Sequence, residues 1–399
     1  FFSKIIIVKD YYIFKTTYFK ISIIFTLYYT LITYINNDLL HTWKAFFLIR
    51  YFLLPLIFHY FFSKIDFNKK KLLIYYFLIL SITSIDLIIQ KIFNVNILGF
   101  KPSLWNEAHQ LNERYAGFFN QELIAGGYLV YLGIICFILF VSIFDYSKKN
   151  LIIFLFSFIL VITGLFVTGD RAPVIILVSF IALSIIFLKK ARIFLIPSLL
   201  ATIIIFLTGV NISPNMKLRF IDYPVNRLTE NLSNNLTFKK EKLNTFQSAI
   251  KNTPWGKHYR VAYEMILQTP FTGLGLKSFR KHCKKYNYIL NETLIINKTE
   301  VLFTHDGCST HPHNFILEIL TDIGLIGLTL LLYVMFLSIR LALKSSSNPL
   351  YVLFFLMFIL SVISPFKPSG SFFSTWTSTM IWFIFSLMHL FVKKEEKKI

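Results

Sequence analysis

The sequence predicts an all-α protein that crosses a lipid bilayer about ten times and carries one large loop outside it. Hydrophobic residues make up 55% of the 399 residues, and the mean hydropathy is +0.62, which is too apolar for an ordinary soluble domain. The apolar residues fall in blocks of about 16–25, long enough to cross a bilayer as helices. Loops rich in lysine and arginine alternate along the chain with loops that contain few, which indicates a fixed orientation in the membrane.

The apolar blocks define the predicted spans and the division of the chain. The spans are 19–35, 45–62, 72–89, 121–144, 151–168, 174–188, 193–209, 314–339, 349–366 and 372–392. The stretch 1–18 is predicted as the remnant of an earlier helix or an interfacial segment, and a span there would raise the number to about 11–12. We therefore expect an N-terminal transmembrane bundle (1–209), a large, mostly helical loop (210–313) and C-terminal transmembrane helices (314–399).

The charges of the loops predict which side of the membrane each loop faces. One set of loops contains 15 lysines and arginines, and the opposite set, without the very long loop, contains 6. The basic set is 63–71, 145–150, 189–192, 340–348 and the tail 393–399; the other set is 36–44, 90–120, 169–173 and 367–371. Because cytoplasmic loops carry the excess of positive charge, the C-terminus is expected inside and loop 210–313 outside.

The formal net charge of +21 is compatible with an anionic partner such as nucleic acid. Most of the lysines are better explained as anchors of the cytoplasmic loops, and we recognise no nucleic-acid-binding module. Among the three cysteines, Cys136 lies within a predicted span. Cys283 and Cys308 share loop 210–313, and an extracytoplasmic location would permit a disulfide between them.

A tight turn on the outer face, VTGDRAPVIIL (167–177), contains Arg171 where the orientation rule disfavours positive charge. Pro173 suits the first turn of a helix, so Arg171 is expected beside a helix N-terminus, a favourable place for anions. A snorkelling anchor at the membrane surface is the alternative.

The loop segment 252–286 is predicted as an amphipathic helix, a turn and a second helix. Its apolar face is expected to contain Val261, Met265 and Ile266. Its cations include His258, Arg260 and Arg280. Such a basic stretch suits an anionic ligand, and a solvated or headgroup-binding surface is the alternative.

His311 and His313 stand at the border between loop 210–313 and an apolar helix. Two histidines at i and i+2 without an obvious carboxylate cluster form a poor zinc motif. A single imidazole that accepts a proton near neutral pH is favoured, with a helix-capping or headgroup-facing role as the alternative. Pro312 restricts His311 to an extended conformation, and His313 is expected to begin the helix.

These residue types suit transfer from a lipid-linked diphosphate sugar. The arginine fork binds phosphate bidentately, and fixed cations stabilise the charge that builds on a diphosphate leaving group. A histidine takes the proton of the acceptor hydroxyl. This division of roles requires no nucleotide.

The chain resembles the O-antigen ligase and O-antigen polymerase family of bacterial envelope glycosyltransferases over about residues 110–330. The matching histidine motif is His313-Asn314, nine residues, Gly324, two residues and Gly327. The other matching segments are RYAGFFNQELIAGGYLVYL (114–132), TGDRAPVIIL and HYRVAYEMILQTPFTGLGLKSFR. Asp170 stands where the family usually has serine, and Ile175 where it has leucine. The two glycines are expected to permit close helix packing.

The resemblance implies that His313 is the general base, supported by His311 and Asn314. The arginines implied at the diphosphate are Arg171 and Arg260, with Arg114 and Arg280 as further members. The implied donor is an undecaprenyl-diphosphate-linked glycan, and the implied acceptor is lipid A–core. The implied reaction needs no metal ion or cofactor, inverts the sugar configuration, and takes place on the periplasmic face of the inner membrane.

Four other functions stay open from the sequence. A polymerase would transfer the glycan to another lipid-linked repeat, and a third relative would transfer it to protein hydroxyls. A polysaccharide transporter would place its polar residues near the bilayer midplane, where only a few, such as Arg50 and Asp86, are candidates. A metal-dependent polyprenyl-phosphate-sugar transferase would need an acidic first loop, which here offers only Asp38.

Overall fold

The computed structural model describes residues 12–65, 67–104, 113–145, 147–222, 225, 254–286, 290–296, 299–305, 307–365 and 369–393. Part of the predicted segment 1–18, much of loop 210–313 and nearly all of the tail 393–399 lie outside these residues. The three-part division of the chain by sides of the membrane stays a prediction.

Helices dominate the described part of the chain. In chain order they are α1 (Tyr12–Lys15), α2 (Thr17–Asn36), α3 (Leu39–Phe46), α4 (Ile49–Lys64), α5 (Lys69–Phe93), α6 (Ala125–Ile143), α7 (Lys148–Val167), α8 (Arg171–Phe187), α9 (Arg192–Ile212), α10 (Pro214–Lys217), α11 (Pro254–Gln268), α12 (Ser278–His282), α13 (Phe315–Ser345), α14 (Pro349–Ile363) and α15 (Thr375–Leu387). Each predicted span is helical over most of its length, so the all-α membrane fold is confirmed.

Seven helical segments are long and apolar enough to cross a membrane, judged on the described residues. They are Thr17–Asn36, Leu39–Lys64, Lys69–Phe93, Ala125–Ile143, Lys148–Val167, Lys189–Ile212 and Phe315–Ser345. The other three predicted spans correspond to the shorter helices α8, α14 and α15. The chain is therefore a multi-pass membrane protein, and its orientation stays a prediction.

Two short antiparallel hairpins interrupt the helical order. Strands β1 (Ser103–Leu104) and β2 (Glu113–Arg114) form the first, and β3 (Leu290–Ile296) and β4 (Thr299–His305) form the second. The second hairpin lies in the loop that was predicted to be mostly helical. Its sequence, LNETLII and TEVLFTH, is rich in the β-branched residues that favour strands, and this local preference explains the departure.

Side-chain caps explain where many helices begin. An N-cap oxygen accepts a hydrogen bond from a backbone N–H group of the first turn, which otherwise has no partner within the helix. Residues with this role are Thr16, Asp38, Asn68, Ser147, Asn314, Asn348 and Ser374. The boundaries thus follow from local polar residues that precede apolar runs.

The chain forms two compact units, each described by itself. The first comprises Phe1–Ile65, Glu230–Ser347 and Pro365–Ile399. In it, α15 packs on α4, and α13 packs against both α2 and α11. The second comprises Asp66–Thr229 and Asn348–Ser364, where α5 packs on α6 and α7, and α8 packs on α14.

A buried carboxylate in α5 anchors the connection that follows this helix. The Oδ1 and Oδ2 atoms of Asp86 accept hydrogen bonds from the backbone of Ile97 at 3.0 Å and from Nδ2 of Asn96 at 3.2 Å. Gln90 donates to the carbonyl of Phe100 at 3.0 Å. Buried polar groups need such partners, so Asp86 has a structural role, and this removes one candidate for a transport pathway.

The second unit contains an apolar cavity of about 290 Å³. It is lined by residues of α5 to α9, among them Leu80, Leu129, Cys136, Leu165 and Leu177. A cavity with this lining suits a hydrocarbon chain and offers almost nothing to a polar ligand.

Candidate active site

A break in helix α13 organises the first unit's candidate site. Gly324 has φ 60° and ψ −169°, which are not helical angles. A break frees backbone groups, and these need partners where water is absent. The loop after α11 supplies acceptors, because Leu325 donates to the carbonyl of Pro270 at 2.9 Å and Ile326 to that of Phe271 at 3.1 Å.

The same loop also supplies donors to the helix before the break. Leu274 donates to the carbonyl of Thr321 at 2.9 Å, and Gly275 donates to that of Asp322 at 2.8 Å. The loop therefore adds the hydrogen bonds that α13 loses at Gly324. The two motifs that appeared separate in the sequence, the Pro-x-x-Gly-x-Gly loop and the Gly-x-x-Gly helix, form one structural element.

Glycine is required on both sides of this contact. A Cβ atom on Gly324 would come within 2.4 Å of the carbonyl carbon and oxygen of Phe271, and one on Gly273 within 2.6 Å of the backbone of Asp322. Both glycines have positive φ. Gly324 therefore permits the close approach of a loop backbone to α13. The expectation was that this glycine permits the close approach of another helix.

The buried side chain of Asp322 fastens the end of the loop. Its Oδ1 accepts from the hydroxyl and the backbone N–H of Ser278, at 2.6 and 3.1 Å. Its Oδ2 accepts from the backbone of Lys277 at 2.9 Å and from the hydroxyl of Tyr29 at 3.1 Å. Four donors engage this carboxylate, so its position in an apolar helix has a structural reason.

Three histidine rings gather where loop 210–313 meets α13. The ring centroids of His311 and His313 are 4.2 Å apart, and those of His258 and His313 are 5.4 Å apart. Helix α11 carries His258, whose Nδ1 donates to the carbonyl of Gly307 at 2.8 Å. Within the described residues, no group of three or more His, Cys, Asp or Glu side chains is placed to hold a metal ion.

The backbone fixes His313 just outside the helix. Asn314 is the N-cap and accepts from two backbone N–H groups of the first turn, so α13 begins at Phe315 and not at His313 as expected. His313 has φ 56°, and its carbonyl accepts from the backbone of Ser369 at 2.9 Å. A left-handed conformation costs a residue other than glycine about 1–3 kcal/mol, and the surrounding bonds hold it there.

His311 supports this arrangement. Its Nε2 donates to the carbonyl of Ser369 at 3.2 Å, and its Nδ1 accepts from the hydroxyl of Thr310 at 2.8 Å. Both ring nitrogens are thereby engaged. The supporting role of His311 stays a prediction, and these contacts fix its ring beside His313.

Burial keeps the two motif histidines neutral. It lowers the pKa of His313, and the neighbouring His258 lowers it further, against the opposing effect of the Ser369 carbonyl. Burial and His313 lower the pKa of His311 to about 4. Both imidazoles are therefore unprotonated near neutral pH, the state that a proton acceptor requires.

A carboxylate of α13 holds the connection between α14 and α15 by hydrogen bonds. Glu318 is buried, and it accepts from the hydroxyl of Ser371 at 2.5 Å and from the backbone of Phe372 at 2.7 Å. Ser369, which holds the histidines, belongs to the same short connection. Glu318 therefore positions the connection that contains Ser371 and Phe372.

The cations of the first unit differ in how close they lie to the histidines. Arg280 lies close enough to His311 to contribute to lowering the pKa of this imidazole. Burial lowers the pKa of Lys277, and Arg280 lowers it further, so these two cations are neighbours. Arg260 is exposed and follows His258 by two residues, about 200° around the helix, so it lies on the face away from this ring.

The second unit contains a separate group of arginines around the turn before α8. Arg114 forms an ion pair with Asp170, and Nε of the buried Arg219 donates to the carbonyl of Gly169 at 3.0 Å. Burial, followed by the neighbouring charges of Arg219 and Arg171, lowers the pKa of Arg114 to about 10. Arg171 is the first residue of α8, so three guanidinium groups share one small region.

The aspartate in this turn explains a departure from the family's motif. A Cβ atom on Gly126 would come within 2.7 Å of Oδ2 of Asp170, so the carboxylate fills the space beside the start of α6. It pairs there with Arg114. The expectation that Arg114 and Arg171 share a site with His313 stays a prediction.

A small core and a disulfide hold α11 beside the histidines. Cys283 and Cys308 are bonded, with Cα atoms 5.5 Å apart. The core contains Val261, Ala262, Met265, Leu274, Phe279 and Cys283. The predicted apolar face of α11 includes two of these residues, Val261 and Met265, whereas Ile266 is half-buried.

A comparison with known families identifies part of the chain. Residues 156–332 match a family model described as O-Antigen ligase. The chain carries an O-antigen ligase domain. The family predicted from the sequence is thereby confirmed. None of the curated proteins matches the chain.

The match assigns a coarse chemistry to the chain. An O-antigen ligase domain indicates a glycosyltransferase-like membrane enzyme that acts on lipid-linked glycans. The matched range includes Arg171, Arg260, Arg280 and both motif histidines, whereas Arg114 precedes it.

Four residues of the O-antigen ligase domain have site or supporting contacts in the structure but were assigned no such role from the sequence. Arg219 and His258 meet their partners across about 50 residues of chain, and no local pattern reveals such contacts. Glu318 and Asp322 did carry a signal, because carboxylates four apart in an apolar helix are rare and need partners. Their spacing places them on one helix face.

Proposed function

We propose that this O-antigen ligase domain transfers a glycan from undecaprenyl diphosphate to a hydroxyl of lipid A–core on the periplasmic face of the bacterial inner membrane. The observation that carries the proposal is the strained backbone conformation of His313 where α13 begins, and burial, which lowers the pKa of this imidazole, favours its proton-accepting form. Strain of this kind persists only where the surrounding structure enforces it, and it concentrates at functional sites.

In the proposed reaction, His313 accepts the proton of the acceptor hydroxyl. The hydroxyl oxygen attacks the anomeric carbon, and the bond from that carbon to the diphosphate oxygen breaks. Its electron pair stays on the diphosphate, whose added charge requires cations. Attack opposite the leaving group inverts the anomeric configuration, and the step requires no metal ion.

Two groups of cations are candidates for the diphosphate. In the first unit, Arg280 is a cation whose charge reaches His311. Arg114, Arg171 and Arg219 form the group of the second unit, and Arg114 is paired there with Asp170. Arginine suits this role because its planar fork matches phosphate oxygens. Arg260 is the weakest of the predicted arginines, since it faces away from His258.

The apolar cavity supports a lipid-linked donor. Leu129 in α6 and Leu177 in α8 line it, and they follow Gly126 and Arg171 in the same helices. The three-residue separation in α6 corresponds to about 4.5 Å along the helix axis. An anionic headgroup on the arginines would thus place the first part of its hydrocarbon chain at an apolar cavity.

The test is a transfer assay with purified protein. The donor is a lipid extract from a strain of the source cell that lacks the gene, since this strain accumulates the unused lipid-linked glycan. Product that forms only when lipid A–core is added supports a ligase. A ladder of longer lipid-linked glycan without lipid A–core would identify a polymerase, and no product with an intact donor would contradict glycan transfer to either acceptor.

The pH dependence of the rate tests the state of His313. Because its pKa lies below the ordinary 6.5, the proton-accepting form persists to lower pH than a free imidazole would allow. We expect kcat/KM to be constant from pH 8 down to about 6.5 and to fall only below it. An acid limb centred at or above pH 6.5 would contradict the proposed base.

A further inference from the structure

We propose that His258 is a positioning residue for His313, and that its hydrogen bond to the carbonyl of Gly307 is what fixes it. This inference rests on the proposed function. It assigns the second histidine of the cluster a task that neither the motif nor the family match gives it.

The hydrogen bond defines the state of the His258 ring. A carbonyl only accepts, so Nδ1 of His258 carries the proton at 2.8 Å from the oxygen of Gly307. In the neutral ring, Nε2 then has the lone pair. The bond also stops rotation of the ring about its side-chain torsions, because Nδ1 must stay in reach of one fixed oxygen.

The fixed ring of His258 bounds one side of His313. The two rings are tilted by 36° at 5.4 Å, while His311 lies against His313 at 4.2 Å. Since Ser369 and Thr310 hold His311, both neighbours of the His313 ring are locked by hydrogen bonds. The imidazole of His313 therefore has few orientations available, as a pre-organised base requires.

The carbonyl of Gly307 is itself rigidly held. A Cβ atom there would come within 2.7 Å of Cγ2 of Val261 and 2.9 Å of the carbonyl oxygen of Lys257, so the segment lies directly on α11. The next residue, Cys308, is bonded to Cys283. The disulfide thus ties down the acceptor that fixes His258.

Three substitutions at one position separate positioning from simple packing. Asn places an amide N–H where Nδ1 of histidine lies, Gln places one where Nε2 lies, and Ala has neither. We expect kcat in the extract assay to fall about 100-fold for His258→Ala and for His258→Gln. His258→Asn should stay within about fivefold of the wild type, and the KM for the donor should change less than about threefold in all three.

The same substitution at His41 is the matched control. His41 belongs to α3 and contacts Asp38, so His41→Asn should leave kcat unchanged. Non-reducing electrophoresis and thermal unfolding establish that each variant is folded and keeps its disulfide. If His258→Ala is folded and retains its kcat, or if His258→Asn is as slow as His258→Gln, the inference is wrong. Wild-type protein without activity would instead contradict the proposed function.

Discussion

Replacement of His313 by alanine is expected to lower the rate of glycan transfer about 10²–10⁴-fold, the usual contribution of a positioned general base. The change removes the imidazole whose pKa is lowered by burial and leaves no group at that point to take the proton of the acceptor hydroxyl. Binding of the donor diphosphate does not use this ring, so the KM for the donor should change little. The measurement is the initial rate with the lipid extract and lipid A–core.

His313→Asn controls for the backbone. His313 has φ 56°, and asparagine adopts this region more readily than most residues. The asparagine variant should therefore unfold at a temperature close to the wild type and still transfer glycan as slowly as the alanine variant. A general base contributes at least about 10²-fold to the rate. If either folded variant keeps more than about one tenth of the wild-type rate, the loss is smaller than this contribution, and His313 is not the base.

Much of the fold follows from short-range rules. Each apolar block that was predicted to span the membrane is helical over most of its length. A backbone inside lipid must satisfy its own hydrogen bonds, and a helix does so locally. Polar caps such as Asn314 and Asn348 mark helix starts for the same reason. The hairpin β3–β4 was missed because strand pairing depends on residues in two segments, and neither segment alternates cleanly.

The candidate site was predictable only in part, because its contacts join distant segments. His313 and Arg171 stood out through their positions at membrane boundaries. In contrast, nothing near Arg219 indicates that its Nε meets the carbonyl of Gly169. Helix periodicity can separate Arg260 from His258 once α11 is known to be helical, but which face meets the histidines depends on the core that contains Met265.

Gly324→Ala is expected to destabilise the protein by more than about 3 kcal/mol, enough to lower its unfolding temperature and its yield sharply. The angles of Gly324, φ 60° and ψ −169°, belong to a region that only glycine occupies without strain. A Cβ atom would also overlap the carbonyl of Phe271 at 2.4 Å. The loop would have to leave the helix, and the hydrogen bonds that bridge the break would be lost where water cannot replace them.

Substitutions at two other glycines separate the cost of the positive φ angle from the cost of the overlap with Phe271. Gly99 has φ 85° with nothing within 4 Å of the position of a Cβ atom, and Gly127 lies in α6 with equally open space. Gly99→Ala should show the backbone term alone, about 1 kcal/mol, and Gly127→Ala should be neutral or slightly stabilising. Thermal unfolding in detergent ranks the three variants. If Gly324→Ala is no less stable than Gly99→Ala, the close approach of the loop to α13 is wrong. The link between the two sequence motifs would then also be wrong, because that link depends on a backbone carbonyl lying where only glycine leaves room for it.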